Sequence, residues 1–240
     1  MELNFICIGV QKGGTTSLIN YMNQHPEIYM CKTELHYFDS PEFKTLQKLK
    51  ISTDKLIVGE KTPSYNYLFY ALRNIHTYNP NMKLILLLRE PISRAYSNYN
   101  MNLNFKHKSL SDVTDEEIMA DFEADEHIML HNISCNGNYY IARGKYDEIL
   151  EYIYSLFPRE NVYVGISEQF KNNKQKYNEI FQFLGCSTIE LESKDEHIRS
   201  YTREIPECLK EKLLHIYRPH VERLYSILGY RVDEWKHYFG

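Results

Sequence analysis

Cysteine is sparse in this 240-residue chain, and no two of the five (Cys7, Cys31, Cys135, Cys186 and Cys208) form a CxxC pair. That excludes a zinc knuckle and a thioredoxin-type motif; an odd, scattered set fits reduced thiols in a cytosol-like compartment, so a cytoplasmic location is expected. Long hydrophobic runs are also missing. The longest aliphatic stretch, Leu84 to Leu88, has five residues, against the ~20 that a membrane span requires. Phe5 to Val10 is apolar but short, lacks a basic leader and runs into a glycine-rich loop, so neither a signal peptide nor a stable membrane anchor is expected. No repeat and no low-complexity linker divides the chain, and one domain over residues 1–240 is the expectation. Neither sign of charge dominates: 28 basic and 32 acidic residues leave a net charge of −4. This argues against a nucleic-acid partner, while a local basic pocket can sit inside a near-neutral total. Tryptophan occurs once, but 21 Tyr and 11 Phe argue against a disordered chain.

What is present alternates between strand and helix patterns. Asn4 to Gly9 reads as a buried strand, Thr15 to Asn23 as a helix stopped by His25-Pro26, and Lys55 to Gly59 as a second strand. Tyr67 to Tyr78 reads as a helix. Lys83 to Leu88 is a continuous aliphatic strand of the kind covered on both faces in parallel sheets. Pro91 stands early in the helix that follows, where its missing N–H costs little. Ser109 to His131 is acidic and helical, with Thr114 and Glu117 spaced as a capping box. The acidic run Asp115-Glu116-Glu117 is a first helical turn favoured by the helix dipole. Helix Gly144 to Phe157, strand Asn161 to Ile166, helix Gln175 to Leu184 and a long helix from Pro206 to Leu228, with a break expected at Pro219, complete the pattern. The fold class is α/β: a single P-loop-like domain with a mainly parallel central sheet flanked by helices on both faces. Ligands of such sheets lie beyond the carboxyl ends of the strands.

The first strand runs into Gly9-Val10-Gln11-Lys12-Gly13-Gly14-Thr15-Thr16-Ser17. The N–H groups of a tight turn and a helix start bind anions, Lys12 adds a cation, and Thr15, Thr16 and Ser17 add hydroxyl donors. Gly9 and Gly14 have the spacing of a Walker A loop, but Thr15-Thr16 replaces its Lys-Ser and the lysine has moved to mid-loop. The strand ending at Leu88 is followed by Arg89 rather than by a carboxylate for magnesium. The loop thus reads as phosphate-binding, with the ATPase reading weakened.

GVQKGGTTSL resembles the 5′-phosphosulfate loop of sulfotransferases that use 3′-phosphoadenosine-5′-phosphosulfate (PAPS). A second match supports it: Leu86-Leu87-Leu88-Arg89 followed by RAYSNY, with Arg89 and Ser97 eight residues apart, is similar to the pair that recognises the 3′-phosphate in that family. An Arg fork at a strand end and a hydroxyl two turns into the next helix can converge on one phosphate. Lys32-Thr33-Glu34-Leu35-His36-Tyr37-Phe38-Asp39 resembles a segment of the glycosaminoglycan (heparan sulfate) branch and its bacterial relatives. There the glutamate is the base, which implies Glu34 as base, with His36 and Asp39 shaping the acceptor side. A histidine serves as base in the small-molecule branch, so His36 remains the second candidate. Gly59-Glu60-Lys61-Thr62-Pro63-Ser64-Tyr65 resembles the family's GEKSPxY element and implies Lys61 near the reacting sulfate. Residues 142–158, Phe183 to Cys186, 216–229 and Trp235 follow in the family's order. Arg199 to Pro206 takes the place of a basic loop over the nucleotide, with Arg203 matching its arginine and Tyr201-Thr202 replacing its Lys-Gly. Thr16 departs from the arginine of some heparan-sulfate relatives, so the acceptor sugar is not carried over.

The resemblance implies in-line sulfuryl transfer from PAPS to an acceptor hydroxyl or amine, on a carbohydrate or a small molecule. Gln11, Lys12, Gly13, Gly14, Thr15, Thr16, Ser17, Arg89, Ser97 and Arg203 would hold the donor, and Lys12, Glu34, His36 and Lys61 would do the chemistry. No metal is required, because lysines and a helix N-terminus supply the positive charge. A P-loop nucleoside or sugar kinase, dependent on ATP and magnesium, is the first alternative. A non-catalytic nucleotide- or glycan-binding protein is the second. Oligomeric state does not follow from the sequence.

Overall fold

The computed structural model describes residues 1–43, 49–133, 137–193 and 203–240. In chain order the elements are β1 (Phe5–Gly9), α1 (Thr15–Met22), β2 (Ile28–Met30), β3 (Ile57–Lys61), α2 (Phe69–Tyr78), β4 (Lys83–Leu88), α3 (Pro91–Phe105), α4 (Asp115–Glu126), α5 (Tyr146–Leu156), β5 (Val162–Ile166), α6 (Ser167–Phe170), α7 (Lys174–Leu184), α8 (Glu207–Leu228) and α9 (Lys236–Phe239). The described residues form two compact units: 1–88 with 152–193, and 89–151 with 203–240.

The first unit holds the sheet, whose strand order is β2-β3-β1-β4-β5. Every pairing is parallel, as strands joined through helices require. Phe5, Cys7, Ile85 and Leu87 pack on one face against Leu18 and Met22 of α1 and Ile180 and Phe181 of α7. The alternate residues Ile6, Ile8, Leu84, Leu86 and Leu88 are buried too, which accounts for the uninterrupted apolar strands. The order of strands divides at β1, so the loop leaving β1 lies where such sheets receive ligands.

β3 begins and ends two residues later than the sequence pattern suggests. Its pairing with β1 matches Phe5 with Gly59, Ile6 with Glu60 and Cys7 with Lys61, so two ionisable residues are drawn into the ladder. β2 has three residues, too few to show a period.

The second unit is helical. Glu90 caps α3 through its side chain, accepting from the Ile92 and Ser93 N–H groups at 2.7 Å each. The Thr114–Glu117 capping box starts α4 as expected, with both reciprocal bonds formed. α8 runs through Pro219 without a break, contrary to the expected interruption. One lost N–H is offset here by the buried side chains Leu213, Tyr217, Val221 and Leu224 along the helix, since tertiary packing supplies most helical stability.

Candidate active site

Backbone requirements shape the loop after β1. The Val10 N–H donates to the Leu87 carbonyl at 3.0 Å, and the Gly13 N–H returns to the Val10 carbonyl at 3.0 Å. A Cβ on Gly13 would lie 2.7 Å from the Leu87 carbonyl oxygen and 2.8 Å from Val10 Cγ2. Gly14 has φ +79°, in the left-handed region, and forms the N-cap of α1 without a side-chain cap. No acidic residue stands in the first turn of α1. An N-terminus lacking a side-chain cap, with Thr15, Thr16 and Ser17 in its first turn, suits an anion. Thr15 is buried, Ser17 half-buried and Thr16 exposed. Gln11 and Lys12 are half-buried between Val10 and Gly13.

Lys12 and His36 are both non-glycine residues with positive φ, +70° and +48°. Left-handed backbone costs an L-residue roughly 1–2 kcal/mol, and such conformations cluster at functional sites.

The second part of the site lies at the end of β3, the strand beside β1. There segment 60–65 faces segment 34–39. Lys61 Nζ pairs with Glu34 Oε1 at 2.5 Å, with the Lys61 side chain 15% exposed and that of Glu34 39%. His36 Nδ1 is 2.9 Å from Asp39 Oδ2, and His36 Nε2 is 3.6 Å from Glu34 Oε2. The Ser64 hydroxyl donates to the same Asp39 oxygen at 3.1 Å. The Asp39 side chain is 4% exposed and that of His36 57%, so a buried carboxylate orients an accessible ring.

Backbone anchors hold both segments. Thr62 N–H donates to the Cys7 carbonyl at 3.2 Å and Asn66 N–H to the Ile8 carbonyl at 3.0 Å. Asn66 Nδ2 also reaches the carbonyls of Ile8 and Pro63. On the other side, Asn74 Nδ2 donates to the Phe38 carbonyl at 2.8 Å, and the Phe38 N–H donates to the Tyr65 hydroxyl at 3.2 Å.

Burial dominates the remaining ionisable groups here. It pushes the Glu60 carboxyl up to about 8 and the Cys7 thiol up to about 12. Cys7 is therefore no nucleophile at neutral pH. Glu60, near the end of β3, is a poor magnesium ligand, because its carboxyl favours the neutral form and Thr62 Oγ1 donates to it at 2.9 Å. A kinase would need an ionised strand-end carboxylate.

In the second unit Arg89 follows β4 directly. Its carbonyl accepts from the Tyr146 hydroxyl at 2.8 Å. Ser97 is buried in the second turn of α3, some six residues and about 9 Å along the helix from Pro91. Arg203 NH1 donates to the carbonyls of Leu110 (3.1 Å) and Val113 (2.6 Å), and NH2 pairs with Asp115. Arg199 to Thr202, the remainder of the expected nucleotide loop before Glu204, lie outside the described residues.

The structure thus brings Glu34, His36, Asp39 and Lys61 together in one cluster. Sequence reasoning picked out Lys61 in 60–65 but missed Glu60, Thr62, Ser64, Tyr65 and Asn66 as a structured turn. Their polar residues inside an otherwise buried stretch were the available signal.

Elsewhere His25, Glu27 and Cys186 approach within 4.8 Å of one another. His25 Nε2 is used by the Ser187 carbonyl and Nδ1 by the Glu27 N–H, which leaves no ring lone pair for a metal.

Residues 3–239 match the family model described as a sulfotransferase domain. A stretch of 103 residues, 41% of the chain, is 36% identical to human heparan sulfate glucosamine 3-O-sulfotransferase 6 and covers 30% of that relative. A stretch of 109 residues is 35% identical to mouse heparan sulfate glucosamine 3-O-sulfotransferase 5, covering 43% of this chain and 32% of the relative. Among solved structures, a sulfotransferase from Alicyclobacillus acidocaldarius superposes with a TM-score of 0.77 at 24% identity, covering 98% of this chain and 99% of the other. The sulfotransferase domain from the curacin biosynthetic pathway gives 0.54 at 14% identity, covering 97% and 99%. These last two likenesses concern the fold.

Proposed function

The chain belongs to the sulfotransferase-domain family, and on that premise we propose that it transfers a sulfuryl group from PAPS to a hydroxyl, or an amine, of a carbohydrate acceptor by in-line displacement. The observation that carries this reading is the Lys61–Glu34 pair at the carboxyl end of β3, one strand from the anion-suited start of α1.

In this reading the loop N–H groups and the hydroxyls of Thr15, Thr16 and Ser17 hold the donor's 5′-phosphate, with Gln11, Gly13 and Gly14 shaping the turn. Lys12 stabilises the oxygen that leaves with the phosphate, and Lys61 offsets charge on the transferred group. Glu34 takes the acceptor's proton. His36, held through Nδ1 by Asp39, orients the acceptor and is the second candidate for base. Arg89 and Ser97 recognise the 3′-phosphate. Arg203 is assigned to the nucleotide by resemblance. The cations and the helix N-terminus supply the positive charge, so no metal takes part. The family match spans both units, which supports reading residues 1–240 as one sulfotransferase domain.

The similarity to heparan sulfate enzymes supports a polysaccharide acceptor. No nucleic-acid partner is proposed. Among the described residues no helix is long and apolar enough to cross a membrane. Among the described residues Cys7, Cys31, Cys186 and Cys208 are free thiols; a cytoplasmic setting is proposed from the scattered spacing of the cysteines in the sequence.

The test is incubation with sulfur-labelled PAPS and a panel of polysaccharides, phenols and lipids in EDTA. Label in the polysaccharide fraction, undiminished by chelator, is expected. No transfer from PAPS, with transfer from γ-phosphorus-labelled ATP in a parallel incubation that contains magnesium, would restore the kinase reading.

A further inference from the structure

Beneath the Lys61–Glu34 pair runs a buried line of hydrogen bonds that the proposed reaction does not use. The Phe38 N–H donates to the Tyr65 hydroxyl at 3.2 Å. The Tyr65 N–H donates to the Thr62 carbonyl at 3.1 Å, and the Tyr65 hydroxyl has the Thr62 side chain as its other polar neighbour. Thr62 Oγ1 donates to Glu60 Oε2 at 2.9 Å. Tyr65, Thr62 and Glu60 are each 0% exposed. Glu60 also faces the Leu35 backbone N–H, while its Oε1 forms no hydrogen bond of good geometry among the described residues.

The Phe38 N–H can only donate, so the Tyr65 oxygen accepts there. That leaves the Tyr65 proton to point toward Thr62, whose own proton goes to Glu60. A buried carboxyl so sparsely hydrogen-bonded is a costly way to hold a turn, and an apolar residue of similar shape would often serve stability as well. Its use here is explained by what the line holds. Phe38 lies between His36 and Asp39, and Tyr65 follows Ser64, which contacts Asp39.

We propose that Glu60 is a positioning residue for sulfuryl transfer: as the final acceptor of the line it orients Thr62 and Tyr65, and Tyr65 fixes the Phe38 amide so that Glu34, His36 and Asp39 stand together against Lys61 and Ser64. The role rests on the reading of Glu34 as the base. The ionisable groups facing Glu60 are Cys7 on β1, Cys31 after β2, Glu34 and Asp39 on the opposing segment, and Tyr65 in its own turn; Lys61 adjoins it in the strand. Burial, reinforced by Asp39 and Glu34, disfavours ionisation of Glu60. A neutral carboxyl adds no second anion to compete with Glu34 for Lys61 while still accepting from Thr62.

The test uses full-length protein and three variants: Thr62→Val, Glu60→Leu and Glu60→Gln. Binding of 3′-phosphoadenosine 5′-phosphate is measured by calorimetry. kcat and KM are measured for transfer from PAPS to the best acceptor of the panel. Misplacement of a catalytic group by about 1 Å can cost ~10²-fold, so Thr62→Val and Glu60→Leu are expected to lower kcat by ~10–10²-fold with nucleotide affinity unchanged. Glu60→Gln keeps an acceptor oxygen for Thr62 and is expected to restore most of the kcat that Glu60→Leu loses. Should Glu60→Leu fail to fold, the shape-conserving Thr62→Val decides. Unchanged kcat in Thr62→Val overturns the role, as does a joint loss of kcat, nucleotide binding and thermal stability. A wild-type protein that transfers nothing from PAPS overturns the reaction itself and this role with it.

Discussion

Lys61 Nζ and Glu34 Oε1 stand 2.5 Å apart, joining the end of β3 to a segment 27 residues earlier in the chain. The contact does more than close a loop. It sets a cation beside the carboxylate assigned to the acceptor's proton, and it does so where Lys61 is largely withdrawn from water and Glu34 is not. A pair of this kind is attractive without being inert, because the exposed partner stays accessible to a substrate.

The 3′-phosphate role proposed for Arg89 and Ser97 sets an expected nucleotide choice. Loss of a charge-assisted phosphate contact typically costs ~1.5–3 kcal/mol, or roughly 10- to 150-fold. 3′-Phosphoadenosine 5′-phosphate should bind tighter than 5′-AMP by that factor in calorimetry, and Arg89→Ala should narrow the gap. Equal affinities in the wild type would remove this pair from the 3′-phosphate.

Gly13→Ala tests the loop. The added methyl would meet the Leu87 carbonyl and Val10, both held by hydrogen bonds, so the loop must shift rather than a side chain turn. A cost of ~1–3 kcal/mol in stability is expected, with weaker nucleotide binding. Unchanged melting temperature and unchanged affinity would contradict the tight-loop account.

Glu60 gives a pH dependence of stability whose sign is fixed. Its folded-state value is raised to about 8, so between the ordinary glutamate range and about 8 the folded chain keeps a proton that the unfolded chain has released. The contribution is present at low pH and is lost as pH rises through about 8. Denaturant unfolding of wild type and Glu60→Gln across this range should show the wild type losing stability relative to the variant as pH rises. Parallel curves would mean that Glu60 is ionised throughout.

Much of the fold was legible because its determinants are local. The aliphatic run of β4, the glycine-rich turn before α1 and the Thr114–Glu117 box each declare themselves within a few residues. β2 did not, since three residues carry no period, and β3 shifted because its pairing with β1, a distant segment, extends it over Glu60 and Lys61. α8 passes Pro219 because packing along the helix outweighs a local break. Motifs single out Glu34, His36 and Lys61 of the cluster, and Lys12 of the loop after β1. They do not single out the line from Glu60 through Thr62 and Tyr65, because a glutamate in sequence looks like a solvated charge, and only tertiary burial turns it into a neutral acceptor.

Glu34→Gln addresses the central claim most directly, that a loop for the donor and a carboxylate for the acceptor work side by side. The substitution keeps size and polarity and removes the basic carboxylate. Product-nucleotide affinity and the rate of transfer from PAPS are to be measured on the same preparation, beside wild type. The account predicts unchanged affinity and a rate lower by ~10²–10⁴-fold, the usual cost of losing a general base. Near-normal transfer would contradict it and move the base to His36.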